Sequence, residues 1–222
     1  MRGAIGVIFD MDGVLIDSAA AHQRAWEQLG TEIGTPFSPE RFRSTFGQTN
    51  ASILPSWLGE LSAERFSALD QRKESLYREC VRQGAVRIYA RIPQLLREIR
   101  AHDARIAIAS SGPRANVALL TDSMGATELV DASIAAEDVR EGKPHPEVFL
   151  QAAERLAIPA VRCAVIEDSV HGIEAARHAG MLAVAVLTST PRERLATAGA
   201  DVFLSEVGDI DLEWLLSALA QR

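Results

Sequence analysis

The sequence predicts an α/β fold: a parallel sheet with helices between its strands and an all-helical region inserted early in the chain. Short, continuous apolar runs, which are typical of buried parallel strands, occur at 4–9, 106–109 and 164–166. Each run ends in polar residues and is followed by a segment with helical spacing, so strand, turn and helix repeat as in right-handed βαβ units. Residues 18–87 show helical spacing without a convincing strand, which indicates a helical insertion.

The inserted region is predicted to hold three main helices, at 19–32, 49–58 and 62–82. Trp26 and Leu29 lie on one face of the first helix, and Ser18 is placed to cap its N-terminus. The longest helix begins at Ser62, which can cap it, although Arg65 three residues later forms no capping box.

The rest of the chain alternates between strands and helices. Pro113 suits the first turn of the helix after the second strand, and Gly180 suits the end of a later helix. Besides the strand at 4–9, the expected elements are helices at 93–100, 113–124, 146–156 and 170–179, and strands at 105–109, 132–135, 164–166, 182–187 and 201–204.

The length and composition allow a catalytic core of 1–17 and 88–222 with a helical cap domain at 18–87. The chain has 222 residues, is 47% hydrophobic and carries a net charge of −7 at pH 7. This acidic balance argues against nonspecific binding to nucleic acid. No apolar stretch approaches the roughly 20 residues that a membrane span needs, so no membrane partner is expected.

The expected compartment is the cytoplasm. The first residues lead into a run that is too short and too acidic for a signal peptide. Cys80 and Cys163 lack metal-ligand spacing and are expected to be buried, reduced thiols. A monomer is expected.

Lysine is rare in this chain, since only Lys73 and Lys143 among its 23 cationic residues are lysines. Lysine is a compact charge on a flexible stem, whereas arginine is a planar fork. The two lysines therefore indicate positions where a compact charge is needed and an arginine could not replace it. The alternative, that two lysines remain by chance, stays open, above all for Lys73.

The first apolar run ends abruptly in Asp10-Met11-Asp12-Gly13. Groups just past the carboxyl end of a parallel strand lie where open α/β sheets bind ligands. Two carboxylates one residue apart are unfavourable there unless a cation joins them, and Gly13 lets the chain turn away at once. The pattern predicts a magnesium-assisted phosphoryl-transfer site with a nucleophilic aspartate. Taken alone, Asp-x-Asp is also common in solvated turns and at helix starts.

Three later segments are predicted to end at the same edge of the sheet. They supply Ser110, Lys143 and the pair Glu167-Asp168. A divalent cation shared by Asp10, Asp168 and a phosphate oxygen would remove the repulsion between a carboxylate nucleophile and a phosphate dianion. Magnesium, with its preference for hard oxygen ligands and few protein carboxylates, fits such a site.

Each side chain has a chemical role in this hypothesis. Asp10 attacks phosphorus in line and forms an aspartyl phosphate, while Asp12 protonates the leaving oxygen and later takes a proton from water. Ser110 donates a hydrogen bond to a phosphoryl oxygen, and Lys143 neutralises charge on the equatorial oxygens. Taken alone, Ser110 would suit a helix cap, and Lys143 would suit an exposed position. The prediction therefore depends on finding all these residues together, in this order along the chain.

These residues fall in four motifs that resemble, in sequence and order, those of the haloacid dehalogenase superfamily, and most of all its branch of β-phosphoglucomutase-like and phosphoglycolate-phosphatase-like enzymes. The motifs are Phe9-Asp10-Met11-Asp12-Gly13-Val14-Leu15-Ile16-Asp17-Ser18, Ile108-Ala109-Ser110-Ser111, Gly142-Lys143-Pro144-His145-Pro146 and Val165-Ile166-Glu167-Asp168-Ser169. The last is followed by Gly172. The resemblance spans the chain and implies a Rossmann-like core with a small helical cap inserted after the first motif.

The resemblance also implies a set of site residues. Mg²⁺ would be coordinated by Asp10, the backbone carbonyl of Asp12 and Asp168, with Glu167 close by in the metal site. Superfamily dehalogenases lack an acid at the position of Asp12, whereas phosphotransferases have one. Ser111, in the second motif, is expected to bind substrate.

In the helical insertion the resemblance is less decisive, and three residues are candidates for substrate binding. His22 lies in a stretch that resembles the mutase's first cap helix, although a lone helical histidine is more often structural. Lys73 belongs to a pair that resembles one near the mutase's substrate. In the loop 46–50 the mutase has an arginine that grips a second phosphate, whereas this chain has Asn50. The missing cation weakens the mutase alternative.

The sequence thus predicts a magnesium-dependent phosphatase that hydrolyses a small phosphorylated metabolite, a phosphate monoester such as a sugar phosphate. One alternative is a β-phosphoglucomutase, which moves the phosphate within its substrate. Another is a non-catalytic switch in which a phosphorylated aspartate changes binding to a partner. Receiver-type switch domains also combine acidic metal ligands with a lysine, but they are shorter and lack such a cap.

Overall fold

A computed structural model describes residues 4–45 and 48–222 of the chain. The chain divides into two compact units: a core unit, Met1–Asp17 with Ile88–Arg222, and a helical unit, Ser18–Arg87. Of the loop compared above with the mutase, Phe46 and Gly47 lie outside the described residues.

Six strands form one parallel sheet in the core unit, which confirms the predicted α/β class. The strands of the described chain are β1 (Gly6–Phe9), β2 (Ile16–Asp17), β3 (Arg87–Ile88), β4 (Arg105–Ala109), β5 (Ala132–Ile134), β6 (Cys163–Glu167), β7 (Leu182–Val186) and β8 (Val202–Leu204). The sheet order is β5-β4-β1-β6-β7-β8, and β2 pairs with β3 in a separate two-stranded sheet.

The helices of the described chain are α1 (Ala19–Glu32), α2 (Pro39–Thr45), α3 (Asn50–Leu58), α4 (Ala63–Arg82), α5 (Ile92–Ala101), α6 (Arg114–Ser123), α7 (Glu147–Leu156), α8 (Val170–His178), α9 (Arg192–Thr197) and α10 (Leu212–Ala220). The first four form the helical unit. Short 3-10 turns cover Ala136–Asp138, Ala160–Arg162 and Val207–Asp209. Within residues 4–45 and 48–222, no helix has the length and apolar character needed to cross a membrane.

Both faces of the four central strands, β4, β1, β6 and β7, are largely buried, which explains why these strands are mostly apolar. Ile8, Ala107 and Val165 belong to the core cluster on the face that packs against α7 and α8. The residues next to them, such as Val7 and Ile106, point to the other face and are equally free of exposed surface.

The central position of β1, between β4 and β6, aligns the ends of three strands. Phe9 pairs with Ile108 on one side and with Ile166 on the other. Asp10 and Glu167 therefore follow at the same level, and the backbone N–H of Asp10 donates to the carbonyl of Ile166 (3.0 Å). Side chains from distant parts of the sequence thus meet at the carboxyl edge of the sheet.

The helical unit has a core of its own. Trp26 stacks on Phe37 with ring centroids 5.1 Å apart, and Trp57 meets Phe37 edge-on at 4.8 Å. Helix α4 packs against α1 and α3, and it buries Leu69 and Leu76. This aromatic and aliphatic interior explains the helical spacing of apolar residues in this part of the sequence.

Two helix starts, at Ser18 and Pro113, differ from the sequence-based expectation, and the start at Ser62 agrees with it. Ser18 precedes α1 but makes no side-chain capping hydrogen bond, because its backbone is helical (φ −103°, ψ −1°) rather than extended. Ser62 is extended, and its hydroxyl accepts from the N–H of Arg65. Pro113 occupies the N-cap of α6 and not its first turn, which begins at Arg114.

The sequence patterns did not predict helices α2, α9 and α10 or strands β2 and β3. The three helices contain seven, six and nine residues, and the two strands contain two each. The two strands, α2 and α9 complete too few periods to show a clear apolar pattern. Length does not explain the omission of α10, which is as long as the predicted helices α3 and α8. Cys80 and Cys163 are both buried and unbridged, as expected.

Candidate active site

Lys143 reaches the end of β1 and joins two acidic side chains there. Its Nζ lies 2.5 Å from Oδ1 of Asp10 and 2.7 Å from Oε1 of Glu167. The Lys143 side chain is only 7% exposed, and its ammonium lies 4.9 Å from the ring centroid of Phe149. The structure therefore brings together Asp10 and Lys143, which the sequence predicted to share a site.

The site carries more negative than positive charge. Burial raises the pKa of Asp10 to about 7: Lys143 opposes the shift, while the charges of Glu167 and Asp12 add to it. Burial, with the charge of Glu167, likewise raises the pKa of Asp168 well above its ordinary value. Burial alone would lower the pKa of Lys143, but the two carboxylates outweigh it and raise that pKa. One ammonium does not balance the charge of these carboxylates when they are ionised, so a further cation would stabilise the site.

Asp168 packs against the turn that follows β1. Gly13 has a φ of +80°, and a Cβ added to it would lie 1.9 Å from Oδ2 of Asp168. Two hydroxyls hold this arrangement: Thr188 donates to the carbonyl of Gly13 (2.6 Å), and Ser189 donates to the carbonyl of Asp168 (3.1 Å). Only a glycine leaves space for the carboxylate to approach the turn.

The carboxylates of Asp10 and Asp168, with the backbone carbonyl of Asp12, match the chemistry of a magnesium site. Magnesium takes oxygen ligands and is commonly held by one or two carboxylates, its other ligands being water and phosphate. In the described part of the chain no group of three or more His, Cys, Asp or Glu side chains is arranged to hold a metal. The oxygen donors themselves are of the type that a hard divalent cation prefers.

Glu167 occupies a different position from the one expected of a metal ligand. Its Oε1 accepts from Lys143, and its Oε2 accepts from the backbone N–H groups of Asp168 and Ser169, both at 2.7 Å. Both carboxylate oxygens are thus engaged within the protein. This arrangement suits Glu167 to hold Lys143 and the turn after β6, whereas the carboxylate of Asp168 packs against Gly13.

Ser110 lies at the end of β4, and its side chain is buried. Its Oγ accepts from the N–H of Gly112 (3.0 Å), a bond that leaves the hydroxyl proton for donation to another oxygen. Ser111, next to it, is exposed. Asp12 is half-buried in the tight turn after β1, where the N–H of Gly13 donates to the carbonyl of Ile16 (2.7 Å).

The three candidates in the helical unit lie in one polar cluster. Nζ of Lys73 lies 3.0 Å from Nδ1 of His22 and donates to Oε1 of Glu74 (2.8 Å). Nδ2 of Asn50 donates to Oδ1 of Asp70 (2.7 Å) and to the same Glu74 oxygen (2.8 Å). Lys73 is 2% exposed and Glu74 7%.

Sequence reasoning missed Asp70 and Glu74. The signal that could have revealed them is their i, i+4 spacing on α4, beside Lys73, since residues four apart lie on one helix face. The two acids neutralise Lys73 and leave this cluster with a net negative charge when His22 is neutral.

A family model of haloacid dehalogenase-like hydrolases matches residues 6–180. This span covers the helical unit and all the predicted site residues. Hydrolases of this family generally use a divalent metal.

Curated relatives of similar length include a phosphomutase and a phosphatase. β-Phosphoglucomutase of Bacillus subtilis (strain 168) is 30% identical over 94% of this chain and 92% of its own. Fructose-1-phosphate phosphatase YqaB of Escherichia coli (strain K12) is 30% identical over 82% of this chain and 95% of its own. By contrast, this chain spans only 20% of the Arabidopsis thaliana protein SUPPRESSOR OF QUENCHING 1, chloroplastic, which is 29% identical over 95% of this chain.

The fold is shared with solved structures of the same kind. The crystal structure of a HAD hydrolase, family IA, variant 3 from Entamoeba histolytica HM-1:IMSS aligns with a TM-score of 0.87 at 25% identity. The alignment covers 98% of this chain and 100% of that one.

Proposed function

This chain belongs to the haloacid dehalogenase-like hydrolases, and on that premise we propose that it is a Mg²⁺-dependent phosphatase. Its substrate would be a small phosphate monoester, of which a sugar phosphate is the best-supported class. The names of its relatives support this class, since one is a fructose-1-phosphate phosphatase and another a β-phosphoglucomutase. The observation that carries the proposal is the buried contact of Lys143 with Asp10, beside Asp168 and the Gly13 turn.

The side chains of the core unit have distinct roles in this reaction. Asp10 attacks phosphorus and forms an aspartyl phosphate, and Asp12 protonates the leaving oxygen before it takes a proton from the attacking water. Ser110 donates its hydroxyl proton to a phosphoryl oxygen, and the ammonium of Lys143 offsets charge on the equatorial oxygens. Ser111 would contact the same phosphate.

The metal would be held by Asp10, Asp168 and the backbone carbonyl of Asp12. When bound, Mg²⁺ supplies positive charge that lets the Asp10 carboxylate approach a phosphate dianion. Glu167 orients Lys143 through their 2.7 Å contact and, since both its carboxylate oxygens accept from protein donors, would lie close to the metal without binding it.

The polar cluster of the helical unit favours a phosphatase over a mutase. We propose that His22, Asn50 and Lys73 contact the organic part of the substrate. A mutase must also hold a second phosphate, which needs surplus positive charge. Here Lys73 is paired with Glu74, and the amide of Asn50 is bound to Asp70 and Glu74. β-Phosphoglucomutase activity stays the second candidate because a relative bears that name.

The decisive experiment is a screen of about a hundred phosphate esters with Mg²⁺, followed by Asp10→Asn on the best substrate. We expect release of inorganic phosphate, and a loss on the order of a thousandfold in kcat on replacing the nucleophile. Asp103→Asn makes the same exchange at an exposed turn and should leave kcat unchanged.

Two other outcomes point to the alternatives. Glucose 6-phosphate formed from β-glucose 1-phosphate with a bisphosphate activator, instead of free phosphate, would identify a mutase. Inactivity across the whole screen would favour a phospho-aspartate switch.

We also propose a cytoplasmic location, with which the two buried, unbridged cysteines are compatible. We expect the protein to be a monomer.

A further inference from the structure

The loop that carries Lys143 is held by a carboxylate outside the site described so far. This loop, residues 139–146, connects the 3-10 turn Ala136–Asp138 to α7. Glu147, the first residue of α7, turns its side chain back toward the loop. Its Oε2 accepts from the N–H of Arg140 (3.0 Å) and from the N–H of Glu141 (3.1 Å).

Gln151, one turn further along α7, adds two more hydrogen bonds, and we call the hydrogen bonds of Glu147 and Gln151 the brace. Its Nε2 donates to Oε1 of Glu147 (3.1 Å) and to the backbone carbonyl of Asp138 (2.8 Å). The start of the loop is therefore tied to the first two turns of α7 at Asp138, Arg140 and Glu141. Hydrogen bonds to an ionised acceptor are stronger than neutral ones, so the Glu147 carboxylate is the main support.

This brace matters because Lys143 must be placed closely. Its side chain is long and has high rotamer entropy, yet Nζ has to contact both Asp10 and Glu167. Fixing the backbone only two residues before Lys143 limits where the side chain can begin. A misplacement of about 1 Å at such a position can cost up to a hundredfold in rate.

We propose that Glu147, supported by Gln151, is a positioning residue that sets the placement of Lys143 through the backbone of the loop. This inference rests on the proposed phosphatase function for its kinetic consequence. Its structural consequence, the protection of the Lys143 amine, is independent of any activity.

The direct test is competitive acetylation of the two lysines by acetic anhydride, read by mass spectrometry of proteolytic peptides. Lys73 serves as an internal reference because its side chain is also buried, at 3% exposure. We expect Glu147→Ala to raise the labelling rate of Lys143 relative to Lys73 at least about threefold, through local opening of the loop. The control is Glu154→Ala, at an exposed position on the same helix. An unchanged ratio, or equal rises at both lysines, would overturn the proposal.

A double-mutant cycle adds the kinetic readout. Glu147→Ala is expected to lower kcat about tenfold with less than about twofold change in KM, and to have no further effect in a Lys143→Ala background. Equal losses in both backgrounds would show a general structural role and refute the positioning role. If Glu147→Ala does not fold, Gln151→Ala, which removes two hydrogen bonds, carries the same tests. A wild-type chain inactive on all esters would refute the proposed function, while the acetylation ratio would still decide this inference.

Discussion

Two glycines make room for the acidic residues of the site. A Cβ at Gly13 would overlap the Asp168 carboxylate, and a Cβ at Gly172 would lie 1.8 Å from Oε1 of Glu167. In both cases a carboxylate packs directly against backbone, and any side chain would displace it. The arrangement of the acids at this edge therefore depends on residues that carry no functional group.

We expect Gly172→Ala to displace Glu167 and, through it, Lys143. Overpacking of this kind should lower the free energy of unfolding by about 1–3 kcal/mol. The variant should also lose turnover because the contact between Glu167 and Lys143 is disturbed. Chemical denaturation measures the first effect and steady-state kinetics the second.

The matched control is the same substitution in a Glu167→Ala background. There the added methyl group meets no carboxylate, so its cost in stability should nearly vanish. An equal cost in both backgrounds would contradict the steric explanation.

At the scale of elements, Asp138 ties α6, β5 and α7 together. Its side chain is 8% exposed, and Oδ1 accepts from Arg114 (2.9 Å) and from Arg155 (2.5 Å). Its Oδ2 accepts from the backbone N–H of Ala135 (2.9 Å). Hydrogen bonding, first from Arg114 and also from Ala135 and Arg155, holds the pKa of Asp138 well below its ordinary value.

This lowered pKa predicts a pH-dependent contribution to stability. The unfolded chain binds a proton at Asp138 near its ordinary pKa of about 3.9, whereas the folded chain does so only at lower pH. The contribution is therefore complete above about pH 5 and is lost as the pH falls toward the folded pKa.

We expect Asp138→Asn to lower the free energy of unfolding by about 1–3 kcal/mol at pH 7. The difference between wild type and variant should shrink below about pH 4, where the wild-type advantage is being lost. Urea unfolding from pH 3 to pH 8 measures this difference in the free energy of unfolding, with Asp103→Asn as the exposed control. A difference that is constant across this range would refute the role assigned to the carboxylate charge.

At the scale of the whole molecule, the proposed metal ligands come from distant parts of the chain. Asp10 and Asp12 follow the first strand, whereas Asp168 follows β6, and they meet only when the sheet is formed. A cation that binds this set binds the folded chain and not the unfolded one. Binding and folding are therefore linked.

Magnesium is thus expected to raise the melting temperature. At a concentration one hundred times its Kd the stabilisation is about 2.7 kcal/mol, which corresponds to about 5–10 °C for a chain of this size. Thermal unfolding in MgCl₂ is compared with unfolding in EDTA and in NaCl of equal ionic strength. Asp168→Asn should abolish the specific shift, and a shift that persists in this variant would contradict the assigned site.

Much of the fold could be predicted from the sequence. The observed strand β4 has the expected bounds, Arg105–Ala109, and α1 has the expected 19–32. The strand agrees because its four residues after Arg105 are apolar and buried, and it ends where the polar residues begin. The helix agrees because an amphipathic pattern over about four turns repeats often enough to be recognised. Shorter elements such as α9 lack that repetition.

Polar residues near strand ends also predict which residues belong to the candidate site, but they do not predict the partner of each side chain. Lys143 and Asp10 are 133 positions apart, and their contact exists because parallel strands end at one edge. Three sets of contacts depend on side-chain directions and packing in the folded chain. They are the contact of Glu167 with Lys143, the hydrogen bonds of Glu147 to its loop, and the contacts of the acids around Lys73. Local periodicity carries no information about those directions, whereas burial and hydrogen bonding between distant segments select them.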